Sequence, residues 1–339
     1  MSASIEFRPA DDPSALAAFV VAAEAAGGPA DSDPVDGAVA LAIAGEPGAP
    51  SARASLWLAG DLAGAPGISG LVGHYAAANA GAGAELLHAS CAELARRGAV
   101  RVIGPMNGHT WRRYRLELPR ESGDPDVRPD GFASEPRNPL RYNDEFLAAG
   151  FQVVSRYESR YEPEPVLDPH SLERERARAE ARGVRLHALD PARFDEALRA
   201  MHALSLEAFA DNAWYAPLPL EAFLSLYAPL RARAVPELVR LATRADGKLA
   251  GYLFGFPDPL SAVDGRPTRT VCKTVAVAPH ARGAGLGGLL LDEFRAASIS
   301  LGASGILHAL MHVSNASMRM SARHHSVLFK RYALYGWTP

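Results

Sequence analysis

The stretch from Thr274 to Leu290, TVAVAPHARGAGLGGLL, constrains the fold of this 339-residue chain more than any other part of its sequence. Its β-branched residues predict a strand, and Pro279 ends that strand because proline cannot continue the hydrogen-bond ladder. Gly283, Gly285 and Gly287 then predict a tight turn, and the leucines after them predict a helix. The sequence therefore predicts a strand, a glycine-rich turn and a helix in direct succession.

A turn of this kind is suited to binding an anion. Glycine lets the backbone approach a ligand closely, and the free amides at a helix start lie at the positive end of its dipole. Arg282 adds a charge that can pair with a phosphate. The pattern predicts a pyrophosphate site, and a purely structural glycine-rich helix start is the alternative.

Two other phosphate-binding patterns fit the sequence less well. Gly283-x-Gly285-x-x-Gly288 satisfies the dinucleotide fingerprint, but that motif opens a βαβ unit and is followed by an acidic residue about 20 positions later. His308 occupies that place here. A Walker phosphate loop needs Gly-Lys-Ser/Thr, which the sequence lacks.

Strand and helix signals recur in one order along the chain. Each half reads as strand, helix, strands, glycine-rich turn, helix, strand, Asn, helix and strand, with Asn107 and Asn315 at corresponding places. We predict an α/β fold with mixed (α+β) sheets in two tandem domains. The predicted divisions are residues 1–162, a linker with a charged, solvated helix over 163–183, and residues 184–339.

The strand VAVAP followed by Arg282-x-x-Gly285-x-Gly287 resembles the acyl-CoA motif of the Gcn5-related N-acetyltransferase (GNAT) family, R/Q-x-x-G-x-G/A. The resemblance is specific over about 268–322 and weaker over the rest of 184–335. It implies that the pantetheine arm of acetyl-CoA, or of another acyl-CoA, lies along the fourth strand and that the turn amides hold the pyrophosphate. The implied cofactor residues are Val275, Ala276, Val277, Arg282, Gly283, Ala284, Gly285, Leu286, Gly287 and Asn315.

The first half resembles the same family less closely. FLAAGFQVVSRY at 146–157 looks like the closing helix and strand of the family. Its turn reads Asn79-Ala-Gly81-Ala-Gly83, with neither proline nor arginine. We expect a degenerate N-terminal GNAT-like domain that supports the second one, with a second CoA site or a different ligand site as the alternatives.

The resemblance implies acetyl transfer to a small-molecule amine in a ternary complex. It also implies a tyrosine acid after Asn315 and a glutamate or water as base, but 316–325 contain no tyrosine and 270–277 no carboxylate. The predicted catalytic residues are His312 as base or relay, and Tyr332 and Tyr335 as acid; structural packing is the alternative for each. A CoA-sensing module without activity, and a transferase with a longer acyl or an aminoacyl donor, are the alternative functions.

Two further features concern the acceptor. Asp211, Trp214 and Tyr215 lie in a loop that roofs the acceptor site in this family, so they are predicted to contact substrate or to pack between the domains. Lys273, on the predicted fourth strand, either steers an anionic substrate or faces solvent.

Composition and net charge limit the classes of partner that we expect the chain to bind. The net charge of −3 gives no reason to expect a nucleic-acid or membrane partner. No metal site is predicted, since Cys91 and Cys272 lack metal spacing and His308 and His312 would lie about 13 Å apart on one strand. With no signal-peptide pattern and no membrane-length apolar run, we expect a cytoplasmic monomer or homodimer.

Overall fold

The computed structural model of the protein describes residues 4–27, 33–46 and 48–339. The N-terminal half consists of β1 (Ile5–Arg8), α1 (Pro13–Ala25), β2 (Ala40–Glu46), β3 (Ala49–Ala59), β4 (Ser69–Ala77), α2 (Ala80–Arg96), β5 (Arg101–Gly104), β6 (Leu116–Glu117), α3 (Tyr142–Ala148) and β7 (Gln152–Pro163). The connecting helix is α4 (Pro169–Ala181).

The C-terminal half repeats this order with an additional helix and an additional short hairpin, and without a counterpart of β6. It consists of β8 (Val184–Ala188), α5 (Phe194–Ala208), α6 (Leu220–Tyr227), β9 (Val239–Arg244), β10 (Leu249–Pro257), β11 (Ala262–Val263), β12 (Arg266–Pro267), β13 (Arg269–Val277), α7 (Leu286–Ser300), β14 (Gly305–His312), α8 (Ala316–Ala322) and β15 (Val327–Trp337).

One mixed sheet runs through both halves. Its order is β1-β2-β3-β4-β5-β15-β7-β14-β13-β10-β9-β8, with β6 beside β15. The pairs β4–β5 and β13–β14 are parallel, and the pairs on either side of them are antiparallel. The mixed α/β fold with repeated halves is therefore confirmed.

The last strand of each half lies in the sheet of the other half. β15 pairs with β5 of the N-terminal half, and β7 pairs with β14 of the C-terminal half. β15 and β7 also pair with each other at the centre. The predicted divisions at 162 and 184 separate the halves along the chain. The sheet does not follow these divisions, since each half contributes a strand to the other.

Aromatic residues join the two halves away from the sheet. The indole of Trp111, from the N-terminal half, packs edge-on against Phe223 and Tyr215 with ring centroids 5.3 and 6.1 Å apart. In return, Trp214 packs into the cluster around Trp57 and donates from Nε1 to Ser155 Oγ at 2.9 Å. Each half thus packs a tryptophan side chain into the other half.

The connecting helix α4 is largely exposed and makes a few specific contacts with the C-terminal half. Leu172 is buried, and Arg176 forms an ion pair with the buried Glu293 of α7. Arg182, just after the helix, donates to the carbonyl of Ala284 at 3.0 Å. The charged helix is therefore mostly exposed but is attached to the C-terminal half by one leucine and two arginines.

Candidate active site

The parallel strands of each half separate at corresponding points. β13 and β14 pair from Arg269 to Cys272 and then diverge. A bulge in the β10–β13 register makes Lys273 the extra residue at the point of divergence. In the N-terminal half, the equivalent bulge in β4 contains His74.

Beyond the divergence, the C-terminal half has an open strand edge. Within the part of the chain that the structure describes, the β14-facing edge of residues 274–277 has no hydrogen-bond partner. The matching edge in the N-terminal half is occupied by α3. The amide of Ala77 donates to Tyr142 Oη at 3.1 Å, and Arg141 donates to the carbonyl of Ala77.

The glycine-rich turn leaves its amides unused. Gly283 and Gly285 have φ values of 80° and 85°, in the left-handed region that favours glycine. Gly285 begins α7 without a side-chain cap, so the first-turn amides of this helix stay available. In α2, by contrast, Asn79 Oδ1 accepts from the Ala82 amide at 2.9 Å.

Arg282 points away from the turn. Its Nη2 donates to the carbonyl of Ala208, the last residue of α5, at 2.8 Å, and its Nη1 lies 4.0 Å from Asp211. Carbonyls at a helix end are unpaired and attract cations, which accounts for this orientation. The guanidinium therefore ties the turn to α5, and its predicted pairing with phosphate stays a prediction.

A pocket with an empty volume of about 900 Å³, including its open mouth, lies between α4 and the glycine-rich turn. Arg178, Arg182, Arg244 and His280 line it together with Ala284 of the turn. The pocket therefore combines three arginines with apolar side chains and Glu175 beside the available amides.

Lys273 faces a cleft between the two halves and is partly exposed there. Burial, followed by the charge of Arg115, lowers the pKa of Lys273 from 10.5 to about 7, and Glu135 opposes this shift. Lys273 is thus half-buried and within electrostatic range of charged groups of the N-terminal half, and both sequence alternatives for it stay predictions.

Arg115 is the N-terminal half's main contribution to this cleft. It is 6% exposed, and its guanidinium lies 3.7 Å from the ring centroid of Tyr114 and 3.9 Å from that of Tyr157. Nη1 donates to the carbonyl of Leu310 at 3.0 Å. Burial lowers the pKa of Arg115 to about 10.

His312 lies at the end of β14 in the same cleft. Its ring meets Tyr157 edge-on at 5.1 Å, and its Nδ1 accepts from the Ser314 amide at 3.2 Å. Burial, and secondarily the charge of Arg115, lowers the pKa of His312, so the ring is neutral at neutral pH. The amide contact places the ring proton on Nε2.

The two predicted tyrosine acids are both buried. Tyr332 donates to Glu135 Oε1 at 2.5 Å, behind Arg115. Tyr335 donates to Asn143 Oδ1 at 2.7 Å within the core of the N-terminal half. The strand exchange explains this placement, since β15 carries Tyr335 away from the C-terminal half.

The predicted acceptor residues divide between surface and interface. Asp211 is exposed near Arg282, and Asn315 is partly exposed at the start of α8. Trp214 and Tyr215 meet the other half, where the amide of Trp214 donates to the carbonyl of Ala63. Sequence reasoning missed Arg115 and Tyr157, and the basic–aromatic run at 111–115 was the signal for the former.

The described residues also bear on metal ions and membranes. Across residues 4–27, 33–46 and 48–339, no group of three or more His, Cys, Asp or Glu side chains is arranged to hold a metal ion. None of the helices in those ranges has the length and apolar character needed to cross a bilayer.

Comparisons with known proteins agree with this geometry. Residues 199–325 match the model of the acetyltransferase (GNAT) family. A GCN5-related N-acetyltransferase from Sphaerobacter thermophilus is 17% identical with a TM-score of 0.51, over 98% of this chain and 95% of that one. A tandem GNAT protein from the clavulanic acid biosynthesis pathway is 14% identical with a TM-score of 0.52, over 99% and 98%. No curated protein sequence matches the chain.

The fold and the open strand edge define an acyltransferase of the N-acyltransferase class. Residues 199–325 of the C-terminal half form the GNAT family domain, and the whole chain shares the fold of tandem GNAT proteins.

Proposed function

We propose that the protein transfers an acetyl group from acetyl-CoA to a small-molecule amine by direct transfer in a ternary complex. One observation supports this most strongly: the open edge of β13 and the uncapped start of α7 adjoin each other in the C-terminal half, while both counterparts in the N-terminal half are occupied. We therefore assign the donor to the C-terminal half.

The donor fits this arrangement in three parts. The amide groups of pantetheine extend the sheet along residues 275–277, where backbone partners are missing. The pyrophosphate meets the amides around Gly283, Ala284 and Gly285 at the positive end of the α7 dipole. The nucleotide end enters the pocket beside Arg182 and Arg244, whose charges suit its remaining phosphate.

His312 is the predicted catalytic residue that best suits the cleft. Since its Nδ1 accepts from the Ser314 amide, its Nε2 carries the proton and is available to donate. We propose that this N–H stabilises the negative charge that develops on the thioester oxygen during attack by the amine. The role is that of a hydrogen-bond donor, where the sequence alone suggested a base.

A pair of matched variants tests donor binding. Ala284→Glu adds a carboxylate to the exposed turn before α7, and Ala78→Glu makes the same change at the exposed position before α2. Wild type should be stabilised by CoA and acetyl-CoA in a thermal-shift titration, by about 3 kcal/mol at a hundredfold excess over Kd. Repulsion between like charges should weaken binding about tenfold or more in Ala284→Glu.

Ala78→Glu should bind CoA like wild type. Equal loss of affinity in both variants would contradict the assignment of the donor to the C-terminal half, and no stabilisation of wild type by any acyl-CoA would refute the proposal. Release of CoA from acetyl-CoA in the presence of an amine panel separates an enzyme from a sensor, because a sensor binds CoA without releasing it.

A further inference from the structure

The cleft between the halves has an excess of positive charge. We use the name cationic cleft for the space bordered by Arg115, Lys273 and His312. The charge of Arg115 acts on both other groups, and Arg113 acts on Lys273 as well. The cleft opens at the divergence of β13 and β14, beside the proposed position of the acyl group.

Arg115 is buried without a counterion. Among the residues that the structure describes, its guanidinium forms no ion pair, and its Nε has no hydrogen-bond partner. Two aromatic faces and one carbonyl compensate only part of the charge. An unpaired buried charge is costly, so such a group is kept where a ligand supplies its partner.

The nearest carboxylates are already engaged. Glu135 accepts from Tyr332 and lies 3.5 Å from Lys330 Nζ, which also contacts Glu117 at 2.9 Å. Among the residues that the structure describes, no acidic side chain forms an ion pair with Arg115. A bound anion would supply the missing partner.

The side chain at the equivalent position in the N-terminal half already has hydrogen-bond partners. His74, at the bulge that matches Lys273, has its Nδ1 2.6 Å from Ser55 Oγ and its Nε2 2.9 Å from the carbonyl of Asp33. No hydrogen bond or ion pair holds the ammonium of Lys273 within residues 4–27, 33–46 and 48–339. The Lys273 ammonium thus differs from the His74 ring, both of whose nitrogens lie within hydrogen-bond distance of partners.

We propose that the acceptor is an amine that also carries a carboxylate, and that Arg115, assisted by Lys273, binds this carboxylate. The inference rests on the proposed acyl transfer. A planar guanidinium matches a carboxylate in shape, and its Nε edge has no protein partner. One guanidinium with one ammonium suits the single negative charge of a carboxylate better than the double charge of a phosphate group.

The test compares amines that differ only in the carboxylate. Glycine, lysine and tyrosine are each paired with their carboxamide, and CoA release from acetyl-CoA is followed with a thiol reagent. Both cysteines are buried and should not interfere. The acids should exceed their amides in kcat/KM by about tenfold or more, as expected for a charge-assisted contact.

Arg115→Met should lower kcat/KM for the acids about 10- to 100-fold more than for the amides, so that the acid-to-amide ratio falls. Arg115→Lys should recover part of the acid-to-amide ratio, because it keeps the charge. This ratio is insensitive to the fraction of folded enzyme. Unchanged stabilisation of Arg115→Met by acetyl-CoA is the control for the donor site.

Equal use of acids and amides by wild type, or an unchanged ratio in Arg115→Met, would overturn the inference while leaving acyl transfer intact. If no amine is turned over, the same pairs are compared as ligands of the CoA-saturated protein by thermal shift. A preference for acids that Arg115→Met removes supports the inference, and no preference overturns it. Failure of acetyl-CoA itself to bind would instead refute the proposed function.

Discussion

The pH dependence of stability tests whether Lys273 is desolvated in the cleft. Its pKa is lowered from 10.5 to about 7 by burial and by Arg115. Between these two values the unfolded chain binds a proton that the folded protein has lost. Stability attributable to Lys273 therefore rises with pH across this window.

The expected magnitude follows from the two pKa values. With a folded pKa of about 7 and an unfolded pKa of 10.5, the contribution of Lys273 grows by about 2.5 kcal/mol between about pH 6.5 and about pH 9. At about 2.1 cal/mol/K of unfolding entropy per residue, this corresponds to about 3–4 °C in Tm for the 339-residue chain. Lys273→Met preserves the aliphatic stem and removes the titration.

The assay is the Tm difference between wild type and Lys273→Met, measured in the same buffer at each pH. This difference should move in favour of wild type by that amount as pH rises. Lys248→Met, which removes an exposed lysine in the β9–β10 turn, is the control and should show a flat difference. A flat profile for Lys273→Met as well would refute the idea of a desolvated lysine in the cleft.

Three further predictions concern packing and burial. Trp111→Ala should lower the free energy of unfolding by about 3 kcal/mol in urea, since its ring lies in the aromatic core of the other half; a loss below about 1 kcal/mol would contradict this. Arg295→Met should cost about 3–5 kcal/mol in the same assay because it leaves the buried Glu162 with His308 as its remaining side-chain partner, whereas Arg193→Met, in an exposed pair, should cost less than about 1 kcal/mol. Both buried cysteines should resist a thiol reagent in the folded protein and react in urea, and rapid labelling without denaturant would show that this burial is wrong.

The sequence predicted the local elements well where proline and glycine define them. The strand predicted before Pro279 is β13 at Arg269–Val277, and the helix predicted after the glycine-rich turn is α7 at Leu286–Ser300. Both ends of this unit are set by residues with restricted or unusual backbone freedom, so short-range information is sufficient. The donor turn could therefore be located from its own residues, although their contacts with the donor remain predictions.

The pairing of strands could not be predicted in the same way. Hydrophobic periodicity indicates that residues 327–335 form a strand, but it contains no information on which neighbour that strand will have. The position of Tyr335 in the core of the N-terminal half follows from this pairing and could not be foreseen. The same holds for Arg115, which reaches the cleft through contacts with Leu310 and Tyr157. Candidate catalytic residues depended on long-range contacts that spacing does not encode.

The exchanged strands have a consequence for synthesis of the protein. β5 has no neighbour on its β15 side until residues 327–337 have left the ribosome, so the N-terminal half waits with an unpaired edge while the C-terminal half is made. That half in turn needs β7, which was translated much earlier. Each half thus completes the other in the manner of a fragment complementation pair, and folding of either one is conditional on the whole chain.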